Sequence, residues 1–227
     1  EVNTLYAMLA NQGNSIQPYF ISKIIDSKSQ VFYERNVSQQ KKVVSKEPAY
    51  LLLNIMRKVL EAGGTAGYIR KAYGLEGDFA GKTGTTQGNR DIWFNGINTD
   101  LAGTVWIGHD ANHSLGSNFT GGMGAAPIWA LIMKKASSFY NLPSFKKDDF
   151  YAIVRQPVCL LSGKAPNEKC KFVEENAYFL EGTEPGEYCD FSEEEENKRA
   201  LMKGWVYNAE TQQKEEEEKE DEFEFID

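Results

Sequence analysis

The chain has 227 residues, 41% hydrophobic and 12% aromatic, enough to bury a core in one or two units, and its formal net charge is −8. The acidity belongs to the end: residues 192–227 carry fourteen Asp and Glu against five Lys and Arg, leaving nineteen acids and twenty bases before them. No basic patch stands out, which disfavours a nucleic-acid role, and no run approaches the roughly 20 apolar residues that cross a bilayer.

Val2, Leu5, Tyr6 and Leu9 fall at helical spacing and Gly13 stands where a helix stops, so Glu1 is expected inside or at the edge of a helix. Ile21–Asp26 and Gln30–Arg35 alternate as a hairpin around Ser27-Lys28-Ser29. Ser45 or Glu47 near the cap and Pro48 in the first turn announce a core-packing helix, with Leu51, Leu52, Ile55, Met56, Val59 and Leu60 on its inner face and Gly63-Gly64 at its end. Residues 78–86, 92–97 and 101–108, separated by Gln87-Gly88-Asn89 and Asn98-Thr99-Asp100, read as an antiparallel meander. Pro127 to about Ser138 reads as a second helix, with Ile128, Leu131 and Ile132 facing inward. The fold class is therefore α+β, an antiparallel sheet flanked by helices. From Phe145 onward short runs broken by Gly and Pro hold all three cysteines. The expected organisation is a body over 1–143, a Cys-containing extension over 144–191 and an acidic, mobile tail over 192–227. Trp205, Val206, Tyr207, Phe223, Phe225 and Ile226 interrupt that tail and would suit an anchor to a partner or to the body.

The chemistry concentrates at Gly81-Lys82-Thr83-Gly84-Thr85-Thr86. A cationic Lys82 can hold an anionic substrate terminus or ease ionisation of a hydroxyl, Thr83 adds a donor, and Gly84 lets a substrate backbone approach. Period two places Lys82 and Thr83 on opposite faces, so both reach one ligand only if the strand twists. Trp93 and Phe94 divide evenly between a cleft wall and core. His109-Asp110 and His113 read as turn residues rather than a triad. Three cysteines are an odd set, and a zinc reading wants a fourth ligand that the distant histidines do not offer, so no metal is expected.

Lys82-Thr83-Gly84 does not stand by itself. Leu9-Ala10-Asn11-Gln12-Gly13 followed by Pro18-Tyr19-Phe20-Ile21, then Val59-Leu60 leading to Gly63-Gly64-Thr65-Ala66, and Gly121-Gly122 leading to Ala126-Pro127-Ile128-Trp129 accompany it in order. On these islands the chain resembles the penicillin-binding proteins, and among them the transpeptidase domain of the bifunctional class A members, over roughly residues 1–140. The resemblance implies serine acyl transfer that crosslinks the stem peptides of peptidoglycan at D-Ala-D-Ala, with β-lactams as inhibitors and no cofactor. Lys82, Thr83, Gly84, Thr85, Thr86 and Trp93 would bind substrate, with Lys82 and the backbone N–H of Thr85, half of an oxyanion hole, taking part in catalysis.

The family's serine-x-x-lysine and serine-x-asparagine elements are not convincingly here. Ser38-Gln39-Gln40-Lys41 lies in a polar connection and Ser144-Phe145-Lys146-Lys147 follows the Lys-Thr-Gly strand in the wrong order. The expectation is a C-terminal piece, inactive by itself, whose parent also carries a membrane anchor and a glycosyltransferase domain on the outer side of the bacterial cytoplasmic membrane. The residues from Cys159 through Gly182-Thr183-Glu184-Pro185 to Cys189 look like the extension of some class A enzymes, where a Cys159–Cys170 disulfide would be permitted. The competing readings are a D,D-carboxypeptidase or β-lactamase relative and a non-catalytic cell-envelope binding module.

Overall fold

The computed structural model describes residues 1–36, 40–140, 143–145 and 152–202, in two compact units, Glu1–Ala152 and Ile153–Asp227.

In the first unit, helix α1 (Val2–Ala10) is followed by the β1–β2 hairpin (Lys23–Ile25, Val31–Glu34) and helix α2 (Lys46–Arg57). After α1 the chain reverses at Gly13, whose φ is +83° and whose added Cβ would stand 2.1 Å from the Val44 carbonyl oxygen, so glycine is required both by backbone angle and by space. A short helix α3 (Tyr68–Tyr73), not foreseen from the sequence, precedes the meander β3 (Ala80–Thr85), β4 (Asp91–Ile97) and β5 (Ala102–Gly108). Those strands pair antiparallel in the order β3-β4-β5, as the alternation and turn residues lead one to expect. A π-helical turn over Gly121–Ala125 then leads into helix α4 (Ala126–Ser137).

Each sheet face takes its own helices. Trp129 of α4 is fully buried against Phe79, ring centroids 5.4 Å apart and edge-to-face, and against Phe94 at 5.0 Å. Gly96 and Gly103 make the hollow for its indole. On the other face Leu53 and Met56 of α2 pack with Ala80 and Ile97, joined by Tyr6 and Leu9 of α1.

Both long helices turn a different side inward than their bulkiest aliphatics suggest. In α2 the buried residues are Ala49, Tyr50, Leu53 and Met56, whereas Leu52 and Ile55 are 42% and 67% exposed. In α4 they are Ala126, Trp129, Ala130 and Met133, and Ile128, Leu131 and Ile132 are exposed. Trp129 decides the second case, because a fully buried indole flanked by alanines lets the helix approach the sheet closely.

The second unit is built on an antiparallel hairpin, β6 (Ile153–Cys159) and β7 (Val173–Leu180), whose register slips between Gln156 and Val158. Pro157 lies between them and has no N–H for the ladder. Helix α5 (Glu193–Met202) is the last element among the described residues of the unit. Ser192 and Glu195 cap it reciprocally: Ser192 N–H donates to Glu195 Oε2 at 2.9 Å and Glu195 N–H to Ser192 Oγ at 3.3 Å. Four glutamates in the first turn also suit the positive end of the helix dipole. Glu196 and Ala200 are buried, so residues 193–202 form an ordered helix where a mobile tail was expected. The aromatic islands from Trp205 to Ile226 lie outside the described residues.

Candidate functional site

Strand β3 forms one margin of its sheet. The Thr86 N–H donates to Asp91 O at 3.0 Å, which fixes the alternation. Lys82 and Gly84 therefore turn their backbone groups toward β4, while Gly81, Thr83 and Thr85 turn theirs outward. The margin thus presents the N–H of Thr85 and both polar groups of Thr83 to anything that lies along it.

Side chains alternate the other way. Lys82 shares a face with Asn95 and Thr104, and Thr83 with Phe94 and Val105. The Lys82 chain nevertheless bends around the margin, where its Nζ donates to Thr83 O at 2.8 Å and lies 3.4 Å from Thr83 Oγ1. Thr83 Oγ1 is in turn 3.1 Å from Thr65 Oγ1, on the loop before α3. An exposed ammonium and two hydroxyls meet there, brought together by the reach of the lysine side chain. Thr65, not singled out as a site residue, carries a signal only in Gly63-Gly64, which turns the chain toward β3.

The remaining residues divide between rim and support. Thr85 Oγ1 accepts the Gly121 N–H at 2.9 Å, which ties the π-helical turn to the strand. An added Cβ on Gly121 would stand 2.4 Å from both Gly84 O and Trp93 O, so this contact also demands glycine. Thr86 Oγ1 accepts the Asp91 N–H at 2.9 Å and locks the β3–β4 turn. Trp93 lies across from Gly84, half-buried beside Trp106 with centroids 6.1 Å apart, whereas Phe94 is fully buried in the core. The pair accordingly splits into one rim residue and one core residue. Tyr68 OH donates to Gly122 O at 3.1 Å, and burial, with some help from Tyr73, raises the Tyr68 pKa.

Below the strand, Arg57 Nε donates to Asp78 Oδ1 at 2.8 Å, its Nη2 bonds Asp78 Oδ2, and the Phe145 N–H donates to Oδ2 at 3.0 Å. Burial by itself would lower the Arg57 pKa, but the hydrogen bond and charge of Asp78 more than reverse this. A cleft of about 530 Å3 lined by Asn11, Tyr50 and Phe145 shares no residue with the β3 margin. The His109 and His113 rings stack at 4.8 Å, and His109 Nδ1 accepts the Ala111 N–H, a turn role. Of the two formal Ser-x-x-Lys matches, Ser38 and Lys147 lie outside the described residues.

In the second unit Cys159, Cys170, Cys189 and Glu196 converge, each offering one ligand atom, all within 4.8 Å of one another. The three cysteines, among them the candidate pair Cys159 and Cys170, are unbridged thiols. Glu196, which the sequence reading did not single out, stands beside the three thiols as a fourth possible donor. Burial pushes the Cys170 thiol up to about 12; Cys189 is lowered, its burial outweighed by hydrogen bonds from Ser162 and the Phe191 backbone.

Comparison with known proteins gives two family matches, separated by residues 135–151. "Penicillin binding protein transpeptidase domain" matches residues 1–134, and "Penicillin-binding protein 1A, C-terminal domain" matches residues 152–194. Penicillin-binding protein 1A of Aquifex aeolicus is 35% identical over 146 residues, 64% of this chain and 19% of that protein. The Clostridium tetani protein of the same name is 31% identical over 172 residues, 73% of this chain and 21% of that one. The chain therefore spans about a fifth of the length of these relatives. The crystal structure of penicillin-binding protein 1A from Haemophilus influenzae shares the fold, with TM-score 0.70 and 24% identity over 82% of this chain and 32% of that one.

Proposed function

This chain belongs to the penicillin-binding protein transpeptidase family, and from that premise we propose that its β3 margin is the substrate edge of a peptidoglycan D,D-transpeptidase. The observation that carries the reading is the Lys82 ammonium folded over the outward groups of Thr83, with the outward Thr85 N–H one residue pair further along.

A stem peptide ending in D-Ala-D-Ala lies antiparallel along this margin and pairs with the free backbone groups of β3. Its terminal carboxylate takes the place of the Thr83 carbonyl as acceptor from Lys82 and gains the Thr83 hydroxyl as a second donor. The scissile carbonyl oxygen faces the Thr85 N–H, which stabilises the oxyanion as it forms. A serine hydroxyl outside these 227 residues attacks that carbon and gives up its proton. The terminal D-alanine leaves as a protonated amine, and an amine of a neighbouring strand then takes the acyl group and frees the serine. A β-lactam uses the same carboxylate grip, and its opened ring cannot leave. Gly84 keeps the margin clear of side chain and Trp93 walls it. The Thr86 hydroxyl acts through the turn it holds. No cofactor enters this chemistry. The full-length protein works on the outer side of the cytoplasmic membrane and carries a glycosyltransferase domain, while this chain by itself is not acylated.

Labelled penicillin tests the reading. Full-length protein becomes covalently labelled, Lys82→Ala lowers the labelling rate at least about a hundredfold, the scale of losing one transition-state donor, and the 227-residue chain takes no label. Labelling of the isolated chain, or a Lys82→Ala protein that labels at the original rate, refutes it.

A further inference from the structure

We propose that Cys159, Cys170, Cys189 and Glu196 are the four ligands of a structural zinc ion that holds the second unit together. The ligand atoms come from four separate places in the chain: the end of β6, the β6–β7 loop, the segment before α5, and the first turn of α5. They already lie within 4.8 Å of one another. Zinc–sulfur bonds of about 2.3 Å and a zinc–oxygen bond of about 2.0 Å, set tetrahedrally, place sulfur and oxygen roughly 3.5 Å apart. Cys159 Sγ stands 3.6 Å from Glu196 Oε1.

The surroundings fit a closed site. Cys159 and Glu196 are fully buried and Cys189 nearly so. Glu196 Oε2 accepts the Lys171 N–H at 2.9 Å, which leaves Oε1 aimed at the thiols. Lys171 Nζ pairs with Glu193, and Lys164 with Glu187 and Asp190. Among the described residues no Lys or Arg pairs with Glu196, and a buried carboxylate without a cation is costly. The sulfurs have donors of the kind that support ligands from outside: the Asn167 N–H faces Cys170 Sγ at 3.4 Å, and Ser162 and the Phe191 N–H face Cys189.

Size supplies the need. The described part of the unit, residues 153–202, has a core of Cys159, Leu161, Cys189 and Ala200 with flanking Cys170, Phe172 and Phe191. The whole unit, Ile153–Asp227, is small, and units below roughly 70–80 residues often add a metal or a disulfide to a single core. A disulfide between two of the thiols would leave the third thiol and the buried carboxylate uncompensated. Zinc uses all four, and thiolate-rich tetrahedral sets select it over oxygen-seeking cations.

The test uses the 227-residue chain purified under reducing conditions without chelator. Elemental analysis returns about one zinc per chain, and cobalt loading gives the thiolate-to-cobalt charge-transfer band and the strong visible bands of a tetrahedral site. Glu196→Gln weakens zinc binding by more than the roughly tenfold to hundredfold that loss of an outer partner costs. Cys170→Ser, at the least buried ligand, weakens the thiolate-to-cobalt band, and Glu196→Asp, which keeps a carboxylate, retains more cobalt binding than Glu196→Gln. Chelation exposes three reactive thiols. A folded chain with far less than one zinc and no cobalt charge-transfer band, or intact-mass analysis showing a native disulfide among these cysteines, overturns the proposal.

Discussion

Gly121→Ala probes the tie between the π-helical turn and the Lys82 strand. The new methyl would stand 2.4 Å from Gly84 O, 2.4 Å from Trp93 O and 2.9 Å from Gly84 N, all backbone atoms of paired strands that cannot rotate aside. Ordinary contact begins near 3.4 Å, so the turn must withdraw by about 1 Å, which stretches the 2.9 Å bond from Gly121 N–H to Thr85 Oγ1 beyond use. Overpacking of this kind costs about 1–3 kcal/mol and the lost hydrogen bond about 0.5–1.5 kcal/mol, for a combined loss of about 1.5–4.5 kcal/mol. Urea unfolding of the chain followed by tryptophan fluorescence reads this as a lower midpoint. In the full-length protein a 1 Å shift at the β3 margin slows penicillin acylation by about a hundredfold. Gly186→Ala is the control, since an added Cβ there has nothing within 4 Å, and its effect stays within about 0.5 kcal/mol. A Gly121→Ala chain with an unchanged midpoint refutes the geometry argued for this contact.

Helix phase in α2 separates two further variants: Leu53→Ala costs about 2–5 kcal/mol, whereas Ile55→Ser, on the exposed side, stays within about 0.5 kcal/mol, and equal effects in urea unfolding count against the assignment. Arg57→Ala strips Asp78 of its charged partner beneath β3 and lowers stability by about 1.5–3 kcal/mol, the worth of a charge-assisted bond, in the same assay. Helix α5 is pH-sensitive with a defined sign. Lys171 beside Glu193 and the Ser192 backbone and hydroxyl at Glu195 hold both carboxyls below their ordinary value of 4.5. Their contribution is present above that value and lost as pH falls through the lower folded ones, so the protection of α5 amides, relative to their intrinsic exchange rate, falls on acidification ahead of that in β4. A helix whose protection is indifferent to this range contradicts the cap.

The meander was legible because two independent codes agree over residues 78–108: period-two alternation and turn residues such as Gln87-Gly88-Asn89, where Gly88 and Asn89 adopt positive φ. Helix phase was not, because α2 and α4 carry apolar residues on both sides. In α4 the more aliphatic side is exposed, and only the single tryptophan between two alanines marks the buried one. At the candidate site the residue types were readable in Lys82 and Thr83, but their meeting depends on β3 being a margin, which strand order decides and local sequence does not. Glu196 was hidden for a related reason. It is one of four consecutive glutamates that look alike until the helix turns one of them inward.

A margin left bare for an extended ligand is open to any other extended chain, including another copy of itself. The Lys82 side chain alters that exposure, since its ammonium already occupies the Thr83 carbonyl that an incoming strand would need. A neutral segment must evict a charge-assisted bond, worth about 1.5–3 kcal/mol, and gives the ammonium nothing in return. A segment that ends in a carboxylate compensates the lysine as it displaces it, so the same side chain that attracts the intended guest keeps the strand from zipping onto uncharged ones.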